Sequence, residues 1–164
     1  MIRLGDLEKK YSFHSESDLI TDIGQEADIY MIDGLAAKIW KSDDFVKTDP
    51  YFVERALNEY KISLEFFKNN ISVPRPYGVY AVENERGEFL PAFVMEYLDD
   101  DYRMIENLFG IKYEKAEVLR NIEERKIRAL GWRPIDIRFC RNSMYSSQKD
   151  DLKIFDFGRY YKRW

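Results

Sequence analysis

The residues best suited to chemistry stand far apart in this chain. Late in the sequence, the apolar run Leu152-Lys153-Ile154-Phe155 delivers Asp156, followed by Phe157 and Gly158. A strand ending in a carboxylate, then a Phe that packs inward, then a Gly that permits a sharp bend, suits the holding of Mg²⁺ on nucleotide phosphates. A strand ending in a surface turn is the simpler alternative. Far upstream, Lys38 sits in a second apolar run, Leu35-Ala36-Ala37-Lys38-Ile39. An ammonium half-buried in such a strand needs an anionic partner, because burying it alone is costly. Glu54, Glu59 and Glu65, on the helical segment that follows, are the candidates; a Lys turned to solvent needs none. With one Cys (Cys140) and one His (His14), no Cys/His zinc cage can be assembled, so a metal would be held by oxygen ligands, as Mg²⁺ is.

Positioning these groups requires strands at both ends of the chain and a helix between them. Asp18–Gly24, Ala27–Ile32 and Leu35–Lys41 read as short strands, and Asp33-Gly34 between two apolar runs is a hairpin signal. Asp49-Pro50 offers an N-cap and a first-turn Pro. Phe52, Val53, Ala56, Leu57, Tyr60, Leu64 and Phe67 then recur at helical spacing as far as Asn69-Asn70. Val73-Pro74-Arg75-Pro76 is an extended connector. Tyr77–Glu83 and Leu90–Tyr97 read as strands around a turn at Asn84–Gly87. A short helix is predicted near Tyr102–Phe109. A longer one runs from Tyr113 to Leu130, with Ala116, Leu119, Ile122, Ile127 and Leu130 on one face. Brief strands near Ser143–Ser146 and Leu152–Phe155 flank a polar turn. The order predicts an α+β architecture with a cleft where the sheet meets the helices.

Composition narrows the class. At 164 residues, 45% apolar and 16% aromatic, the chain can bury one substantial core and is not expected to be disordered. Its 26 basic and 30 acidic residues leave a net charge of −4, which disfavours non-specific nucleic-acid binding. Neither a signal peptide nor a run of membrane-spanning length is legible. A lone cysteine forms no intramolecular disulfide. A cytoplasmic protein is expected, with no membrane partner.

In sum these segments resemble the protein-kinase-like fold, in its small atypical branch of RIO kinases and the kinase subunit of the KEOPS complex. The residues carrying the resemblance are Ile23-Gly24-Gln25-Glu26-Ala27-Asp28-Ile29-Tyr30, Leu35–Ile39, Asn58-Glu59-Tyr60, Ile71–Pro76, Phe93-Val94-Met95-Glu96-Tyr97 and Phe155-Asp156-Phe157-Gly158. It implies a single kinase-like domain over 1–164, with an N-lobe at 1–95 built on an antiparallel sheet and one helix. A hinge at 96–99 and a truncated helical C-lobe at 100–164 complete it. ATP and Mg²⁺ are the implied cofactors, and a protein substrate or partner is implied beside the nucleotide. Gly24 would open the segment covering the phosphates, although only one glycine stands where ordinary kinases have three. Lys38, paired with Glu59, would orient the phosphates. Met95, Glu96 and Tyr97 would meet the adenine, the first as an apolar wall. Asp156 and Asn142 would hold the metal, and Asp136 would be the catalytic carboxylate.

Two departures bear on activity. The His that precedes the catalytic Asp in ordinary kinases is absent, replaced by Arg133-Pro134-Ile135, and the Asn expected at Arg141 stands one residue late, as Asn142. Either a one-residue bulge restores both ligands, or the site has decayed. Only Arg159–Trp164 follow Gly158, without an Ala-Pro-Glu segment. The expectation is therefore an ATP- and Mg²⁺-dependent phosphotransferase of Ser/Thr type. A pseudokinase that binds nucleotide or a partner is the alternative. An interaction domain without nucleotide, or a nucleic-acid binder using Arg133, Arg138, Arg141, Lys162 and Arg163, stands further back.

Overall fold

A computed structural model describes residues 2–14, 17–21, 27–40, 49–133, 142–157 and 160–162. Among the described residues the fold is α+β, with two α-helices and a mixed six-stranded sheet. The chain divides into two compact units, Met1–Lys61 with Pro76–Tyr97, and Ile62–Arg75 with Leu98–Trp164.

The first unit is built on the sheet. Its strands are β1 (Lys9–Ser12), β2 (Leu19–Thr21), β3 (Ala27–Ile32), β4 (Leu35–Trp40), β5 (Pro76–Glu83) and β6 (Phe89–Glu96), in the order β1-β5-β6-β4-β3-β2. Asp33 and Gly34, at φ 50° and 76°, form the tight turn between β3 and β4, the backbone that matches the twist of paired strands. Strand β4 is central, pairing antiparallel with β3 and β6. Its alternating residues feed two cores. Ala37 and Ile39 join Phe13, Ile32, Val82, Ala92 and Val94 in one, and Trp40 joins Ala27, Phe52, Ala56 and Phe93 in the other.

The expectation of a wholly antiparallel sheet is corrected by β1, which runs parallel to β5. The backbone N–H of Ala81 donates to Glu8 and that of Phe13 to Glu83, at 3.0 and 2.9 Å. Phe13 is buried just beyond this edge strand, and its apolar surface holds the polar segment Lys9–Ser12 in register.

Helix α1 (Asp49–Lys68) follows β4. Asn70 stops it by taking φ 55°, a left-handed cap conformation that Asn tolerates, while the Ile71 N–H returns to the Phe66 carbonyl at 3.0 Å. Residues to Lys61 belong to the first unit and those from Ile62 to the second.

The second unit contains α2 (Ile111–Ala129) and a three-stranded sheet ordered β10-β9-β7. Its strands are β7 (Tyr102–Met104), β9 (Ser143–Ser146) and β10 (Asp151–Ile154). A two-residue strand β8 (Trp132–Arg133) pairs antiparallel with β11 (Tyr161–Lys162). The expected helix near Tyr102–Phe109 is a strand followed by a single 3₁₀ turn at Ile105–Asn107. Pairing with β9 and a 2.5 Å hydrogen bond from the Tyr102 phenol to Asp151 outweigh local helical preference. On α2, Ala116 and Ile127 are buried as expected, but Ile122 faces outward and Arg120 and Glu123 turn inward. Glu123 is held there by the Ser72 N–H at 3.0 Å and by Lys126 at 2.7 Å. Among the described residues, no helix is long and apolar enough to cross a membrane.

Candidate functional site

The first unit brings Lys38 and Glu59 together. Lys38 lies in mid-strand on β4, opposite Ile29 of β3 and Phe93 of β6. Its Nζ donates to both carboxylate oxygens of Glu59, at 2.9 Å each. The side chains are 11% and 3% exposed. Helical spacing explains the meeting: Phe52 and Ala56 pack on the sheet, and Glu59 follows them on the same side of α1. Of the other two acids weighed as partners, Glu54 is exposed, and Glu65 bonds Trp132 and Lys162 within the second unit.

An ion pair this buried is retained only with good geometry, because each charge has lost its hydration. The two-pronged contact meets that condition. Trp40, two residues along the strand and so on the same face, lies with its ring centroid 5.4 Å from the ammonium. Sequence reading passed over this neighbour, although strand alternation alone would have found it. The adenine-edge candidate Met95 sits opposite Ala36 in the β4–β6 ladder and packs against the same core as Phe93. Glu96 is still paired in the sheet, opposite Leu35, and the strand ends there, with Tyr97 just beyond it.

In the second unit, Asn142 and Asp156 stand at the open end of one hairpin. Strands β9 and β10 pair from Asp151–Ser146 to Ile154–Ser143. Beyond that last pair the Phe155 N–H donates to the Asn142 carbonyl at 3.1 Å. Asp156 follows at φ 63°, a left-handed conformation that Asp adopts more readily than most residues. Phe157 is buried, its ring 5.2 Å from those of Phe66 and Tyr160. The Tyr160 N–H closes back on the Phe157 carbonyl at 3.1 Å. The exposed carboxylate is thus held between a backbone tie and an aromatic anchor.

No family model matches the chain, and no curated protein does.

Asp156 and Asn142 bring a carboxylate and an amide, both oxygen ligands of the kind a hard cation takes, to neighbouring ends of one hairpin. Among the described residues, no group of three or more His, Cys, Asp or Glu side chains is arranged to hold a metal. An ion here would draw its remaining ligands from phosphate and water, as Mg²⁺ ordinarily does. Gly24, Asp136 and Gly158 lie outside the described residues, as do Arg138, Arg141 and Arg163.

Two carboxylates of the second unit have perturbed acidities. Burial works against ionisation of Glu65, but hydrogen bonds from Lys162 (2.8 Å) and Trp132 (3.1 Å), with the lysine charge, outweigh it and hold its pKa below the usual range. Asp151 behaves likewise. Burial opposes its charge, while hydrogen bonds from Tyr102 and Lys153, the Lys153 charge and a hydrogen bond from Ser72 lower its pKa. The Ser72 hydroxyl also contacts the Leu152 carbonyl, so the connector before β5 is tied to the strand that leads to Asp156.

Proposed function

We propose that this chain is an ATP- and Mg²⁺-dependent phosphotransferase with a minimal protein-kinase-like fold, acting on Ser/Thr hydroxyls in the cytoplasm. The observation that carries the reading is the buried two-pronged ion pair between Lys38 and Glu59. A desolvated ammonium on a central strand, oriented by a helix-borne carboxylate, is the arrangement that readies a lysine for nucleotide phosphates. The run of β2, β3, β4, then helix α1, then β5 and β6, with β6 between β4 and β5, also resembles the N-lobe of that fold.

In this reading Glu59 fixes the direction of the Lys38 ammonium, which binds phosphate oxygens without reorganising during the reaction. Met95, Glu96 and Tyr97 line the base, with Gly24 over the phosphates. Asn142 and Asp156 hold Mg²⁺, whose chemistry when bound is to neutralise the charge that builds on the phosphate oxygens. Asp136 accepts the proton of the acceptor hydroxyl. Positioning and electrostatics carry most of the acceleration in such transfers.

The test uses γ-labelled MgATP with the chain alone and with a generic Ser/Thr acceptor protein. Label transfer that disappears in Lys38→Met and Asp136→Ala is the expected result. A nucleotide-dependent rise in melting temperature without transfer assigns the chain a binding role only. Unchanged melting at millimolar MgATP overturns the reading.

A further inference from the structure

Two positions apart on β4, Lys38 and Trp40 stand on the same side of the sheet. The Trp40 indole is buried and shares a core with Ala27 and Phe93 of the sheet and with Phe52 and Ala56 of α1. Phe93 is directly opposite Lys38 in the β4–β6 ladder. The Lys38 Nζ lies over the indole, 5.4 Å from the ring centroid, within the range at which a ring face attracts a cation. Ala56 and Phe52 lie about one and two helical turns before Glu59. The residues of α1 that share this core with Trp40 are therefore on the face that delivers the carboxylate to Lys38.

We propose that Trp40 is a positioning residue for Lys38: its indole face holds the ammonium alongside Glu59, and its packing sets the height of α1 above the sheet. The inference rests on the phosphotransferase reading and names the side chain that keeps Lys38 ready for phosphate. A filler of this core needs only bulk, which Leu, Ile or Phe supplies. Trp adds the ring that attracts cations best, and here the ring meets a buried ammonium, where the attraction is strongest. Its neutrality matters as much. Lys38 with Glu59 is a neutral pair, and a second carboxylate in the place of Trp40 would leave the site net negative and repel a nucleotide's phosphates. An aromatic face holds the ammonium without that cost. Lys38 is thus gripped from the helix by a carboxylate and from its own strand by a ring, and both grips depend on the packing of one indole.

Tryptophans carrying successively more fluorine atoms, placed at position 40 of the whole chain, keep the indole's shape while weakening its electron-rich face. Calorimetric titration is expected to show affinity for MgATP falling stepwise, by about tenfold across the series, as the cation–ring attraction is withdrawn. Affinity for adenosine, which has no phosphate, stays unchanged along the same series. Trp40→Leu weakens MgATP binding by about tenfold or more, and Trp40→Phe, which retains a ring, weakens it less. If Trp40→Leu does not fold, the fluorinated series decides alone. An affinity for MgATP that stays flat along the series overturns the proposal and leaves the phosphotransferase reading standing. Equal losses for MgATP and adenosine assign Trp40 to packing only and overturn it too. An unaltered chain that binds no MgATP overturns that reading and this proposal together.

Discussion

Lys38 and Glu59 stand 21 positions apart and close on one another with two contacts of 2.9 Å, so that a single strand residue is tied to a single helix residue. Removing one partner leaves the other charge buried. Lys38→Met is expected to destabilise the first unit by about 3–5 kcal/mol. The double variant Lys38→Met, Glu59→Leu recovers most of that loss in denaturant melts, because apolar replacement of both partners is tolerated. Phosphoryl transfer stays absent in the double variant. Recovery of stability with recovery of transfer would refute the assigned role of Lys38.

Asp156→Asn keeps the left-handed backbone accessible and removes the charge. The expected outcome is an unaltered melting temperature without nucleotide and loss of the Mg²⁺-dependent part of the shift with ATP. Asn142→Ala is expected to weaken the same shift. Thermal melts with ATP, with and without Mg²⁺, read both.

Phe66 meets Trp132, Phe157 and Tyr160 at ring distances of 5.2–5.8 Å. Phe66→Ala or Phe157→Ala should cost about 3–5 kcal/mol, as truncation of a buried aromatic does. Tyr160→Phe, which keeps the ring, should cost much less. Chemical denaturation distinguishes the two.

Acid is expected to destabilise the second unit. Glu65 and Asp151 have folded-state pKa values below their ordinary ones, so their stabilisation is complete above the ordinary carboxylate range of about 4. It is lost as pH falls through the depressed folded values. Asp151→Asn should flatten the acid limb of a stability-against-pH curve while leaving the neutral arm's slope alone. A curve of unchanged shape would refute this coupling.

Local signals made much of the fold legible. Asp33-Gly34 announced the β3–β4 hairpin, and helical periodicity with Asn69-Asn70 gave α1 nearly to its ends. That Lys38 needs a carboxylate from the helix was readable from its apolar strand; the choice of Glu59 over Glu54 and Glu65 came from the resemblance alone. Strand β1 was not readable: Lys9-Lys10-Tyr11-Ser12 has no apolar alternation, and its conformation comes from a parallel neighbour far along the chain. The same applies to β7, where partnership with β9 overrides a helical local pattern. Ile122 was assigned to the wrong face because periodicity reports an apolar stripe without saying which side a fold covers. The hairpin-end pairing of Asn142 with the neighbour of Asp156 depends on strand register, which spacing alone does not determine.

The division of α1 between two packing environments sets an order of events on the ribosome. Everything the first unit needs, from Met1 to Tyr97, has emerged while the second is still being translated. Ile62 and Phe66 emerge early too, yet Tyr145, Leu152, Ile154, Phe157 and Tyr160, which share their core, come much later in the chain. The nascent chain therefore carries a finished sheet and a sticky half-helix until those later residues are made, a window in which chaperones or premature aggregation compete.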